Sequence, residues 1–207
     1  MTSVSPQTKG RHSERRQETL TKLLIAAEEV FVKDGYESAQ LDDIAARASR
    51  SKGAVYTHFK SKEDLFLGLI ESRINTYLEG YTKQVLSERT PTERLNAYRK
   101  FYASLINDTS YHILSLEFKL FAFRHPEWKD RFTKEFDAMT KAHHGSFESD
   151  LKRLPKSKSI EIRAHSMALG PIVNSLVLES FFQPDVLSNG ALREILLRIF
   201  DTLIVPY

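Results

Sequence analysis

The stretch LDDIAARASRSKGAVYTHFKSK, residues 41–62, decides the fold because two short apolar patterns lie on either side of a polar break. The first pattern is a helical stripe formed by Leu41, Ile44, Ala45 and Ala48. Ser51 is a good N-cap for a second short helix, from Lys52 to Phe59. Val55 and Phe59 lie four residues apart on that helix, so both can pack inward. Two short helices joined at a tight break predict a helix-turn-helix.

Basic residues are concentrated at this break. Between residues 47 and 62 there are five basic and no acidic side chains, in a chain of net charge +3. Lys52 and Lys62 fall in the first turns of predicted helices, where the helix dipole disfavours a cation; a bound phosphate would remove that cost. Gly53 costs about 1 kcal/mol of helix propensity relative to Ala, but it lets another surface come close. The stretch therefore predicts a surface that binds double-stranded DNA.

The segment GYESAQLDDIAARASRSKGAVYTHFKSKEDLF, residues 35–66, resembles the DNA-binding domain of TetR-type transcriptional repressors. The shared features are Gly-Tyr before the second helix, Ile-Ala inside it, Ser-Lys-Gly opening the third, and Tyr-x-x-Phe-x-x-Lys after it. The resemblance implies backbone phosphate contacts for Lys52, Tyr56, His58 and Lys62. It also implies that three residues lie near base edges in the major groove: Gly53, Ala54 and Thr57.

Two departures from the family pattern add candidate DNA contacts. Gln40 follows Ala39 where relatives commonly have small hydroxyl residues, so the N-cap of the second helix is predicted to be weaker. Ser49 and Arg50 stand where relatives commonly have Gly-Val. Arg50 is either an additional phosphate or base contact or a solvated turn residue, and the sequence leaves both open.

Composition limits the class of protein. Hydrophobic residues make up 41% of the 207 and charged residues 28%, with few Gly and Pro, as is typical of a helical protein. The absence of cysteine excludes disulfides, thiol catalysis and cysteine metal sites. No apolar run approaches the roughly 18 residues of a membrane span, and the N-terminus lacks a signal peptide. We therefore expect a cytoplasmic protein with no membrane partner.

The pattern predicts an all-α chain of about nine helices. Residues 1–18 are predicted to form a basic flexible arm, which either reaches into the DNA minor groove or is a solubilising tail. Residues 19–66 would form the helix-turn-helix domain, and residues 67–207 an effector-binding and dimerisation domain. A long helix that begins after Ser61 would join the two.

The last two predicted helices are apolar on most sides, so each lies at an interface or in the centre of a domain. The resemblance implies a four-helix interface in a homodimer, and burial inside one monomer is the alternative. The candidate interface residues are Val173, Leu176, Val177, Phe181, Leu192, Ile195, Leu196 and Ile199.

The resemblance also implies a small-molecule effector, which the family binds in helices where this chain is rich in aromatic residues. The candidate ligand contacts are Phe101, Glu117, Phe118, Phe121, Trp128 and Asn174. Aromatic side chains at helical spacing also form ordinary core, and that alternative stays open for each of them. Glu117 and Asn174 lie among apolar residues and need a partner, which is either a ligand or an internal group.

The sequence gives weaker support to other functions. A helical bundle can hold metal, and His144 with Glu148, or Glu161 with His165, has i,i+4 spacing. Neither pair forms the Glu-x-x-His repeat of di-iron bundles, and phosphate-loop, serine-elbow and zinc motifs are missing. We predict no catalytic residue, metal or cofactor. The prediction is a sequence-specific dimeric repressor released from its operator by an unidentified small molecule, with a non-specific DNA-binding protein as a further alternative.

Overall fold

A computed structural model of the chain describes residues 6–128 and 159–204, together with Asp130 and Thr133. Across these residues the fold is all-α, which confirms the predicted class. The chain divides into two compact units, Met1–Ser72 and Arg73–Tyr207. The sequence placed this division after residue 66. At Gly68 the chain is still packed on the first unit, since a Cβ atom there would come within 2.8 Å of the Phe59 ring.

The first unit contains α1 (Pro6–Ser38), α2 (Leu41–Arg47), α3 (Lys52–His58) and the first part of α4 (Lys62–Tyr81). Helix α1 begins well before Gln17, near which the sequence predicts its start, so residues 6–18, predicted to belong to a basic flexible arm, are helical. Their polar side chains carry no apolar period, but most of them are adequate helix formers. Helical geometry is interrupted at Gly35, whose φ of 74° lies in the region that favours glycine.

The ends of α2 and α3 match the sequence prediction. Gln40 is the N-cap of α2 and makes no side-chain capping bond, whereas the Ser51 hydroxyl accepts the Ala54 amide at 3.2 Å. Helix α2 ends in a Schellman motif, in which Arg50 N donates to Ala45 O at 2.9 Å. The motif places Ser49 at φ 53°, so the turn keeps a left-handed residue although glycine is absent.

Three aromatic side chains pack together in the core of the first unit. The Phe31 and Phe66 ring centroids are 5.0 Å apart, and Tyr36 lies 4.8 Å from Phe66. Val55 and Phe59 are both buried, as the four-residue spacing predicted. Helix α3 is therefore held from inside and presents its other faces outward.

The second unit continues from α4 through a π-helical turn, Thr82–Leu86, into α5 (Pro91–Ser104), a 3-10 turn (Leu105–Asn107) and α6 (Thr109–Arg124). After the undescribed segment come α7 (Ser159–Ser180) and α8 (Asn189–Ile204). Helix α5 begins with a capping box, in which Thr90 N donates to Glu93 Oε2 at 2.9 Å and Glu93 N donates to Thr90 Oγ1 at 3.2 Å. The sequence also predicts a helix from Pro126 to about Leu154, most of which lies outside the described residues. In the described part of the chain, no helix is both long and apolar enough to cross a membrane.

The core of the second unit corrects the predicted dimer interface. Four of the candidate residues are buried within the single chain, with 0–3% of their surface exposed: Val173, Val177, Leu192 and Leu196. They pack in one cluster with Tyr98, Tyr102 and Phe200. An apolar stripe shows that a helix face is covered but not by what, and here the faces of α7 and α8 are covered within the chain, by each other and by α5 and α6. Of the other candidates, Leu176, Ile195 and Ile199 are half-buried, and Phe181 is 59% exposed.

Candidate nucleic-acid interface

The outward surface of α3 brings together most of the residues predicted to contact DNA. Lys52, Gly53, Tyr56 and Thr57 are exposed, and Ala54 is half-buried. Tyr56 keeps 51% of its surface exposed, which is high for an aromatic side chain next to the fully buried Val55. We call the set Lys52, Gly53, Ala54, Tyr56 and Thr57 the α3 face. A short helix with one anchored side and one open side is suited to enter a groove.

Gly53 is not required by the packing of the chain. A Cβ atom there would meet only Ser51 Oγ, at 3.8 Å, which is an ordinary van der Waals distance. Glycine is unfavourable in a helix, so the fold alone gives no reason for it. The missing side chain leaves room for an external surface at the centre of the α3 face.

Two of the basic side chains beside the α3 face are paired with carboxylates of the same unit. The Lys52 ammonium lies 2.9 Å from one oxygen of Asp42 and 3.0 Å from the other, and this hydrogen bond raises the pKa of Lys52. Arg47 donates to Glu29 Oε2 at 2.7 Å. Asp42 lies in the first turn of α2, so the cation in the first turn of α3 has a partner without any bound phosphate.

Arg50 turns back towards α1. Its Nε donates to Thr19 Oγ1 at 3.4 Å, its Nη1 donates to Ser49 O at 3.0 Å, and Nη2 lies 3.7 Å from Glu18. Its side chain is only 28% exposed. Arg50 therefore ties the turn to α1, and a DNA contact of this residue stays a prediction.

Lys62 also differs from the sequence prediction. Its ammonium group donates to the carbonyl oxygens of Tyr36, Glu37 and Ala39 at 2.9, 3.1 and 3.2 Å. Lysine has three N–H donors, so these three carbonyls use all of them. The predicted phosphate contact of Lys62 does not fit this geometry.

Two predicted contacts lie at the margin of the α3 face. His58 is half-buried and lines a cleft of about 340 Å³ together with Arg16. Burial, and secondarily the Arg16 charge, lowers the pKa of His58, which favours a neutral imidazole at neutral pH. Gln40 is exposed at the start of α2, where its amide donates to Ser38 O at 3.3 Å. Both stay predictions as DNA contacts.

The structure accounts for one candidate effector contact within the chain. Asn174 is buried, and its Oδ1 lies 2.7 Å from Nδ1 of His112, which is itself buried. The other ring nitrogen of His112 lies 2.9 Å from Leu105 O. The polar partner that Asn174 needs is therefore a core histidine.

The other candidate effector contacts fall into two groups. Phe101 and Phe121 are buried in the second unit, with 5% and 1% of their surface exposed. Glu117, Phe118 and Trp128 are half-buried. The latter three are the more accessible to a small molecule.

The spacings considered for a metal site gain no support. His144 and Glu148 lie outside the described residues, as does the side chain of Glu161. His165 Nδ1 lies 2.8 Å from Leu203 O. Among the side chains that the structure describes, no group of three or more metal-ligating residues is placed to hold an ion.

Sequence comparison finds similarity centred on the first unit. Residues 23–69 match the family model described as "Bacterial regulatory proteins, tetR family". The chain is 36% identical over 95 residues to the HTH-type transcriptional activator FasR of Mycolicibacterium smegmatis, covering 46% of this chain and 43% of that protein. It is 33% identical over 79 residues to the HTH-type transcriptional regulator QacR of Staphylococcus aureus, covering 38% and 42%. The matched region thus spans less than half the length of these curated relatives.

Structural comparison extends the likeness to both units. The fold is similar to the transcriptional regulator FadR of Bacillus subtilis, solved in complex with stearoyl-CoA, with a TM-score of 0.67 and 19% identity. The alignment covers 87% of this chain and 96% of that chain. At this level of identity the match concerns the fold.

Proposed function

We infer that this chain, which belongs through residues 23–69 to the tetR family of bacterial regulatory proteins, is a sequence-specific DNA-binding transcriptional regulator. The observation that carries the proposal is the α3 face, where Gly53 has no role in packing and Tyr56 is half exposed. Helix α3 would enter the major groove, with Gly53, Ala54 and Thr57 near base edges and Lys52 and Tyr56 on phosphates. As a DNA-binding protein it would act in the cytoplasm, and we propose no enzymatic activity.

We further propose that the functional form is a homodimer. Several large apolar side chains in the described part of the second unit are exposed to water, which is unfavourable. Among them are Met167, Phe181, Phe182 and Val186, with 54–81% of their surface exposed. Together with the half-buried Leu176, Ile195 and Ile199, these residues replace the buried positions in the proposed interface. A two-fold axis would present two α3 helices about 34–36 Å apart to a palindromic operator.

We also propose that a small molecule binds the second unit and weakens operator binding, so that the chain acts as a repressor. The FadR structure, solved with stearoyl-CoA, supports a ligand in this fold. Glu117, Phe118 and Trp128 are the first residues to test, because they are half-buried and can reach a ligand without displacing the core. The relative FasR is named an activator, so the direction of regulation needs its own measurement.

The test of the first proposal is selection of duplexes from a random-sequence DNA pool by the full chain, followed by competition with random DNA. A regulator should enrich one palindromic sequence and bind it about 10³-fold or more tightly than the random pool. Enrichment without a preferred sequence would favour the non-specific DNA-binding alternative, and no enrichment would refute DNA binding. Sedimentation of the same protein as a stable monomer would refute the dimer.

A further inference from the structure

The contacts of Lys62 lie around the α1–α2 turn, which we define as residues 35–40. Three carbonyl oxygens of this turn, on Tyr36, Glu37 and Ala39, converge on the Lys62 ammonium within 3.2 Å. The same nitrogen lies 4.6 Å from the centroid of the Tyr36 ring. A cation enclosed by three carbonyl dipoles and one aromatic face is strongly localised.

The position of Lys62 in its own helix explains why it reaches back. In the first turn of α4 the helix dipole disfavours a cation. The carbonyl groups at the C-terminal end of α1 and at Ala39 present partial negative charge, so the side chain moves the cation from an unfavourable helix end to a favourable one. From the sequence, a bound phosphate would compensate the unfavourable position of the Lys62 cation. In the structure, three carbonyl groups of the chain compensate it instead.

A second contact from α4 holds the same turn. The Tyr36 hydroxyl donates to Glu63 Oε1 at 3.1 Å. The Tyr36 ring is buried against Phe31 and Phe66, and this burial raises the pKa of its phenol. The consecutive residues Lys62 and Glu63 thus hold the turn through its carbonyl groups and through the buried Tyr36 side chain.

The α1–α2 turn leads directly into α2, which needs external support. Helix α2 has seven residues, and its N-cap Gln40 makes no side-chain capping bond. A helix this short is not stable by itself. Lys62 binds the carbonyl of Ala39, the residue immediately before that N-cap. A fixed Ala39 carbonyl therefore sets where α2 begins, and α2 is the helix on which α3 packs.

We propose that Lys62 is a positioning residue for DNA binding, which fixes the α1–α2 turn and the start of α2 instead of contacting a phosphate. This inference rests on the proposed function only for its effect on DNA affinity. Contact with a phosphate would take the ammonium away from three carbonyls and leave them without a charged donor. Lys62 therefore contributes to binding through the placement of α2 and α3.

The test compares Lys62→Met and Lys62→Arg with Lys60→Met in the full chain. Lys60 is exposed two residues earlier and serves as a matched loss of charge. Lys62→Arg keeps the charge, but its planar fork cannot direct three N–H groups at converging carbonyls as an ammonium does. The first readout is amide exchange at Ile44, which donates the first α2 hydrogen bond, to Gln40 O. We expect faster exchange in both Lys62 variants and wild-type exchange in Lys60→Met.

The second readout is the salt dependence of binding to the duplex that the wild-type chain enriches from a random pool. Loss of one phosphate contact reduces the log–log slope by about 0.9 per subunit. We expect both Lys62 variants to bind at least about tenfold more weakly at every salt concentration, with an unchanged slope.

A reduced slope with wild-type exchange in Lys62→Met, or wild-type binding and exchange in Lys62→Arg, would overturn the proposal. If Lys62→Met does not fold, Lys62→Arg decides between these outcomes. If the wild-type chain enriches no duplex, the proposed function fails, and the exchange measurement still decides whether Lys62 holds the turn.

Discussion

Replacing Gly53 by Ala should stabilise the protein and weaken DNA binding, two effects of opposite sign from one methyl group. In the free chain the new Cβ atom meets only Ser51 Oγ at 3.8 Å, so it fits without displacing a neighbour. Alanine favours the helix over glycine by about 0.5–1 kcal/mol. For a chain of this size that corresponds to a rise in Tm of about 1–4 °C.

The same methyl group would stand where the proposed DNA surface approaches most closely. An added methyl in a well-packed contact typically costs about 1–3 kcal/mol, which is about a 5- to 150-fold loss of affinity. Fluorescence anisotropy with the enriched duplex measures the affinity, and urea unfolding measures the stability. Because the free protein gains stability, partial unfolding could not explain weaker binding.

The chain contains a matched control in the second unit. Gly190 is the second residue of α8, as Gly53 is of α3, and its Cβ atom would lie 3.9 Å from the hydroxyl of Ser188. Gly190→Ala should give a similar gain in stability with unchanged DNA affinity. Wild-type affinity in Gly53→Ala would refute the assignment of the α3 face, and lower stability would refute the local geometry.

Three further changes test other parts of the structure. Ser49→Gly should raise the free energy of unfolding by about 0.5–1 kcal/mol in urea, because Ser49 has a left-handed φ of 53°; a loss of stability would contradict the turn geometry. Asn174→Ala removes the partner of the buried His112 and should lower the unfolding free energy by about 1–3 kcal/mol; equal stability would show that the pair is not needed. Asp42→Asn removes the carboxylate that competes with a phosphate for Lys52 and should tighten binding to every duplex without a change in the log–log salt slope; unchanged affinity would mean that Lys52 contacts no phosphate.

Local features of the helix-turn-helix were predictable because neighbouring residues determine them. The cap at Ser51 and the inward pair Val55 and Phe59 depend on spacings of three and four residues. The exposed Tyr56 follows from the same period. These features fix the architecture of the first unit and the direction of the α3 face.

The partners of the charged groups could not be predicted in the same way. Lys62 and the Tyr36 carbonyl are 26 residues apart, and Lys52 is 10 residues from Asp42. The charge run indicated a polyanion, but three-dimensional folding brings carbonyls and carboxylates to several of its members. A run of basic residues therefore gives an upper limit to the number of phosphate contacts.

The proposed dimer interface shows a second limit of prediction from sequence. Helical periodicity identified Val173 and Leu196 as covered residues, and both are fully buried. Periodicity carries no information on whether the covering helix belongs to the same chain. The exposed Phe182 and Val186 were missed because they follow α7, where the helical period ends; the signal available was their apolar character in a solvent-exposed connection.

The carboxylates beside the basic residues of the first unit have a consequence for target search. Unrelated DNA attracts a protein almost entirely through its phosphates, whereas the operator also offers base edges to the α3 face. Asp42 and Glu29 occupy the cations Lys52 and Arg47 and so weaken attraction to any duplex by the same factor. For the proposed regulator, in a chromosome with millions of competing sites, this would shorten each stay on unrelated sequence and leave more free protein to reach the operator.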